Sequence, residues 1–237
     1  MNLDGRSVIV TGASKGIGRA TAKMLADAGA HVCLAARSKA RLETVAEEIK
    51  ANGGNTLVVP TDVSDPKQVA SMMKTTQDSL GGLEIMINNA GVGHWDWEGV
   101  VGGNLDMWTQ EIEVNLLGLM YGTHYAAKLM QEQGKGDIVN IGSGSGRTTA
   151  HPWLGYVASK WGVRGFTEAS LRDLRDDGIR VTHLIPGAVE TPLQPEEDIE
   201  STQMLNPEDV ADAILYAVSR PDHISINELM LIPSGRE

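Results

Sequence analysis

The sequence predicts an α/β fold: a doubly wound, mostly parallel seven-stranded sheet with helices on both faces. Three observations predict it. Short runs rich in β-branched residues alternate with longer stretches of helical periodicity. Most of those runs are continuously apolar rather than alternating, the pattern of parallel strands covered on both faces. No internal repeat, low-complexity tract or Pro/Ser linker interrupts them, so residues 1–237 read as one domain.

In chain order the strand candidates are residues 7–11 (SVIVT), 31–36 (HVCLAA), 56–60 (TLVVP), 84–88 (EIMIN), 137–141 (DIVNI), 179–185 (IRVTHLI) and 228–232 (ELMLI). A helix is expected from about Ile17. Asp65-Pro66 and Asn206-Pro207 each place an N-cap residue before a proline at the first helical position. The run VNLLGLMYGTHYAAKLM, from Val114, suits a buried helix or one at a subunit contact. A long helix carrying YVASK is expected to reach about Asp177. Successive βα units with right-handed crossovers put ligands at the carboxyl ends of the strands, so the chemistry should lie just after each strand.

Composition narrows the function. A net charge of −11 argues against a general nucleic-acid or anionic-membrane surface and for a small-molecule partner. The single cysteine, Cys33, excludes an intrachain disulfide, and there is no zinc-ligand spacing, so no metal is expected. No apolar run approaches the ~20 residues of a membrane span, and the first strand begins too early for a signal peptide. A cytoplasmic protein is expected.

After the first strand comes TGASKGIGRA, with Gly12, Gly16 and Gly18 opening the next helix. Glycine allows the tight turn and close backbone approach, and the helix N-terminus offers free N–H groups to a pyrophosphate; a structural turn is the plain alternative. Ser14, Lys15 and Ile17 belong to the same candidate loop. An NAD-binding strand usually ends about twenty residues on in an acid that bonds the ribose 2′-OH. Here Ala36 stands in that place and Arg37 follows, so a 2′-phosphate would meet Arg37, with Lys15 nearby, instead of a carboxylate. NADP(H) is therefore favoured over NAD(H). Asp62 and Val63 in TDV, and Asn88 to Gly91 in NNAG, supply further groups beside the adenosine, Asn89, Ala90 and Gly91 among them.

Tyr156 and Lys160 in YVASK are four apart, about 40° around a helix axis, and so share a face. A lysine so placed can hold the phenol below its usual pKa of ~10, as a general acid at neutral pH requires.

TGASKGIG, NNAG, VNLLG, DIVNIGS, YVASK and IPGAVETP occur in an order that resembles the short-chain dehydrogenase/reductase family over nearly the full length. The resemblance implies a Rossmann-type fold and a catalytic tetrad of Asn115, Ser143, Tyr156 and Lys160. Ser143 lies thirteen residues before Tyr156, the family spacing, and is preferred to Ser145 on that ground. It further implies that Ser143 bonds the substrate oxygen, Tyr156 protonates it, and Lys160 binds the nicotinamide ribose and connects to water held by Asn115. Pro186, Gly187, Val189 and Thr191 match the loop that receives the nicotinamide carboxamide. The implied activity is reversible hydride transfer between NADPH and a ketone or aldehyde. A 3-oxoacyl-thioester reductase acting on an acyl carrier protein, with Arg164, Arg172 and Arg175 as a basic patch, and a non-catalytic NADP(H) sensor are the alternatives. A homo-oligomer, tetramer or dimer, is expected from the family.

The chain departs from the family pattern in IGSGSG, where a serine pair is commoner, in Trp161 after the lysine, in HWDWEGVVGG, and in a short lid segment around 188–206. Residues 1–94 contain no aromatic side chain, whereas all five tryptophans lie between Trp95 and Trp161. Trp95, Trp97 and Trp153 are accordingly expected to form an aromatic substrate wall, with Leu193 as a further contact. His94 and His151 are polar points nearby that are assigned no catalytic role.

Overall fold

The computed structural model describes residues 3–149, 152–193 and 204–235. Its strands are β1 (Ser7–Thr11), β2 (His31–Ala36), β3 (Asn55–Pro60), β4 (Ile85–Asn88), β5 (Gly136–Ile141), β6 (Ile179–Pro186) and β7 (Glu228–Leu231). All are parallel in one sheet of order β3-β2-β1-β4-β5-β6-β7. Each predicted strand is present, its ends within one residue of expectation.

The apolar runs are continuous because successive residues feed two different cores. Val8, Val10, Ile85, Ile87, Val139 and Ile141 pack with α1 (Gly16–Asp27), α2 (Lys39–Ala51) and α8 (Pro207–Val218). Ile9, Met86 and Ile138 point the other way, onto α3 (Pro66–Leu80) and α6 (Gly118–Gln133). Both proline-marked helix starts occur. The Asp65 carboxylate accepts from Lys67 N at 2.9 Å, and Asp209 accepts from Asn206 N at 2.7 Å.

Between β4 and α6 the chain forms a short turn of helix, α4 (Gly99–Gly102), then α5 (Leu105–Glu111), then a π-helical stretch at Ile112–Leu117. The expected apolar helix is thus wound in two forms, π and α. The helix carrying YVASK, α7 (Leu154–Asp173), stops before Asp177. Gly178, at φ 73°, turns the chain toward β6 while its N–H and that of Ile179 close onto the carbonyls of Arg175 and Leu174.

At the amino ends of the strands Asp137 is buried between two guanidinium groups. Arg180 holds it through Nε and Nη2 at 2.6 and 3.0 Å, and Arg6 through Nη2 at 2.8 Å, tying the start of β5 to β6 and to the residue before β1. The opposite edge is left to loops. There β1 has β2 on one side and β4 on the other, so chain progression reverses and a crevice opens. None of the described helices is long and apolar enough to cross a membrane.

Candidate active site

Loops after β1 to β6 line one cleft of about 570 Å³, within the range of small-molecule and cofactor sites. At its floor, Gly12 takes φ 68°, and a Cβ there would come within 2.7 Å of Asn89 Nδ2. The NNAG turn is what holds this loop: Asn89 Nδ2 donates to Thr11 O at 2.8 Å, and the N–H groups of Asn89 and Ala90 donate to Thr11 Oγ1. Asn89 is therefore a clamp on the glycine loop as much as a wall of the cleft. Gly18 lies behind the loop, where a Cβ would overlap Gly12 O, so it serves helix packing and does not line the cleft.

Ser14, Lys15, Gly16 and Ile17 line the cleft at the start of α1, whose N-cap, Lys15, makes no side-chain capping bond. Those first N–H groups, with the helix dipole, suit a phosphate. Ala36 and Arg37 follow at the end of β2, and the structure adds Ser38 and Arg41 from the start of α2. Arg41 escaped the sequence reading because only the first helical turn carries it back to the cleft. Asp62 and Val63 also line the wall; one Asp62 oxygen accepts from Ser64 N and Oγ, which fixes the turn. These donors, with no carboxylate at the end of β2, fit a nicotinamide dinucleotide bearing a 2′-phosphate.

The other end of the cleft is built by β5 and α7. Lys160 is buried and its Nζ donates to Ile141 O at 3.0 Å, 5.5 Å from the centre of the Tyr156 ring. Burial pulls this ammonium down to about 8. Ser143, two residues beyond Ile141, accepts from Ser145 N at 3.1 Å, and it is Ser143, not Ser145, whose hydroxyl acts on the Tyr156 phenol and lowers it. The expectation that Lys160 lowers the phenol is not met in the protein alone. Burial raises Tyr156 above its ordinary value, Ser143 opposes that rise, and Glu111 adds to it.

Asn115 does not face the cleft. Its Nδ2 donates to Val92 O at 2.8 Å and to Ser159 Oγ at 3.1 Å, while Oδ1 accepts from Val92 N at 2.8 Å. Ser159 Oγ in turn donates to Tyr156 O at 2.7 Å. The carboxamide thus stitches the NNAG loop to α7.

Pro186, Gly187, Val189 and Thr191 line the cleft as expected, together with Ala188 and Pro192. Leu193 and Trp153 close the far end, packed so tightly on Gly93 that a Cβ there would lie 2.7 Å from Trp153 Cζ3 and 3.3 Å from Leu193 Cδ1. The aromatic wall is shorter than expected. Trp153 meets the Tyr156 ring at 5.2 Å, Trp95 packs behind Trp153 at 4.2 Å, and Trp97 stacks on Trp95 at 5.9 Å while 67% exposed. Of the three, only Trp153 lines the cleft; Trp95 supports it and Trp97 faces away. Ring-on-ring packing within the insertion outcompetes exposure to the cleft. His151 and residues 194–203 of the expected lid lie outside the described residues, and the lid's ends meet in a bridge between Val189 and Leu205.

The structure also accounts for IGSGSG. His183 on β6 is 3% exposed, and a Cβ on Gly142 would overlap its Nε2. Burial pushes the imidazole down to about 4, so it is neutral at physiological pH. Glycine precedes Ser143 here because histidine fills the space beside it.

A profile of the short chain dehydrogenase family matches residues 6–201. The chain belongs to this family of oxidoreductases. It is 36% identical to an uncharacterized oxidoreductase of Staphylococcus aureus over 98% of both chains. It superposes with a TM-score of 0.91 on a short-chain type dehydrogenase/reductase from Mycobacterium marinum, 31% identical, covering 97% of this chain and 95% of that one. An alcohol dehydrogenase from the archaeon Thermococcus sibiricus, complexed with 5-hydroxy-NADP, matches with a TM-score of 0.87 and 29% identity over 98% of each chain.

The Gly142–His183 fit yields a prediction. Gly142→Ala should cost about 1–3 kcal/mol of overpacking, and combining it with His183→Ala should cost less than the two single losses together. Denaturant unfolding of the four proteins measures this coupling; strictly additive losses would contradict the packing.

Proposed function

We propose that the protein is an NADP(H)-dependent carbonyl reductase or alcohol dehydrogenase, interconverting a ketone or aldehyde and its alcohol. One observation carries this reading. Ser143, Tyr156 and Lys160 converge at one end of the cleft whose other end presents Arg37 and Arg41 and lacks the 2′-OH acid. The bound NADP analogue in the Thermococcus sibiricus relative supports the cofactor class.

A nicotinamide held beside Lys160 and the loop from Pro186 to Thr191 would supply hydride for reduction and accept it in oxidation. The chain's own residues handle the proton and the charge. Lys160 has one N–H on Ile141 O and two left to hold the nicotinamide ribose. The Ser143 hydroxyl and the Tyr156 phenol present two donors to the substrate oxygen, where negative charge develops during reduction. Tyr156 gives its proton to that oxygen, and in oxidation takes it back. Gly93, Trp153 and Leu193 shape an apolar end that suits a carbonyl with uncharged substituents. The acyl-carrier reading draws less support, because Arg164 is already paired with Glu168 at 3.0 Å.

Tyr156→Phe should retain NADPH binding while turnover of a ketone panel falls at least ~10²-fold, the scale of a lost general acid; near-normal turnover would end this reading. Arg37→Ala should remove most of a preference for NADPH over NADH that a charge-assisted bond of ~1.5–3 kcal/mol sets at about ten- to a hundredfold. Kinetics with both cofactors decide it, and equal efficiency with NADH in the unaltered protein would contradict the assignment.

A further inference from the structure

Behind the catalytic end lies an ionisable group that the mechanism does not use. Glu111, the last residue of α5, is 1% exposed. Its Oε1 accepts from His94 N at 2.8 Å, and the His94 ring Nδ1 stands 3.5 Å from the same oxygen. Its Oε2 occupies the space that a Cβ on Gly155 would need, so the carboxylate is seated against the head of α7, one residue before Tyr156. A carboxylate this deep has little water to screen it.

We propose that Glu111 is a positioning residue for the reaction: its buried charge behind Gly155 opposes formation of the Tyr156 phenolate and so moves upward the pH range in which Tyr156 exchanges its proton. The proposal rests on Tyr156 being the acid/base. The groups acting on this pair come from every side. His94 and Asp96 face Glu111 from the loop after β4, while Ser143 and Lys160 face Tyr156 from β5 and α7. Ser143 lowers the phenol, and burial together with Glu111 raises it. Burial raises Glu111 itself, and His94 draws it back down. At alkaline pH, where the phenol titrates, the Glu111 carboxylate is charged and repels a negative charge on Tyr156. The charge favours the protonated phenol that reduction needs and delays the phenolate that oxidation needs.

The direction of the effect is definite. Removing the charge lowers the Tyr156 pKa, so the rising limb of alcohol oxidation with NADP+ moves to lower pH. At an effective dielectric of ~20, unit charges ~20 Å apart shift each other by roughly half a pH unit, and closer ones by more.

The test is the pH dependence of kcat/KM for alcohol oxidation in wild type, Glu111→Gln, Glu111→Met and Tyr156→Phe, each checked for folding and NADP+ binding. Gln keeps an acceptor for His94 N, whereas Met keeps only the volume, and either one that folds is enough. The expected result is a limb moved by about half a unit or more to lower pH in both charge-removing variants. A uniform loss at all pH with an unmoved limb marks a merely structural glutamate and overturns the proposal. So does a shift in Met but not in Gln, which assigns the effect to the His94 bond. If Tyr156→Phe itself keeps near-normal turnover, the Tyr156 reading fails first, whatever the glutamate variants do.

Discussion

The hydrogen bond from Lys160 Nζ to the carbonyl of Ile141 joins the two pieces of chain that carry Ser143 and Tyr156. Ile141 ends β5, and Ser143 follows two residues later. Lys160 lies one helical turn beyond Tyr156. Fixing lysine on that carbonyl therefore brings serine and tyrosine to the same end of the cleft. Burying an ammonium is unfavourable, and its pKa of about 8 records that cost. The rest of the sheet supplies the rigid frame that offsets it.

That frame is asymmetric in a useful way. At the amino ends Asp137 is saturated by Arg6 and Arg180, a closed and buried charge cluster that leaves nothing for a ligand. At the carboxyl ends the polar groups are partly open: uncapped N–H groups at α1, exposed Arg37 and Arg41, and the serine-tyrosine pair. Between them Asn115 and Asn89 act as internal staples. Each spends its side-chain amide on backbone groups of a neighbouring loop, so two residues that look like ligands in sequence are chiefly what keeps the cleft in shape.

The sheet was legible because parallel strands buried on two faces leave continuous apolar runs, and because Pro at N1 after Asp or Asn marks helix starts without tertiary information. The glycine loop and the YVASK pair were legible because their geometry is local, a turn or four residues of helix. What could not be read needed contacts between distant segments. Nothing in the sequence near Glu111 says that its carboxylate sits against Gly155, and nothing near Gly142 points to His183, forty-one residues on. The Trp95–Trp97–Trp153 stack presents only Trp153 to the cleft, and clustering along the chain does not say which ring faces the cleft and which one backs it.

In the proposed reaction, hydride passes in this cleft between a nicotinamide and a carbonyl carbon while Tyr156 handles the proton. Reduction of an aryl ketone with NADPH carrying deuterium at both nicotinamide C4 positions, followed by mass spectrometry and NMR of the product, is the decisive measurement. The expected product is an alcohol with one deuterium on the carbinol carbon and a hydroxyl proton drawn from solvent. An alcohol with no deuterium at that carbon, or cofactor binding with no alcohol formed from any ketone in a broad panel, would contradict it.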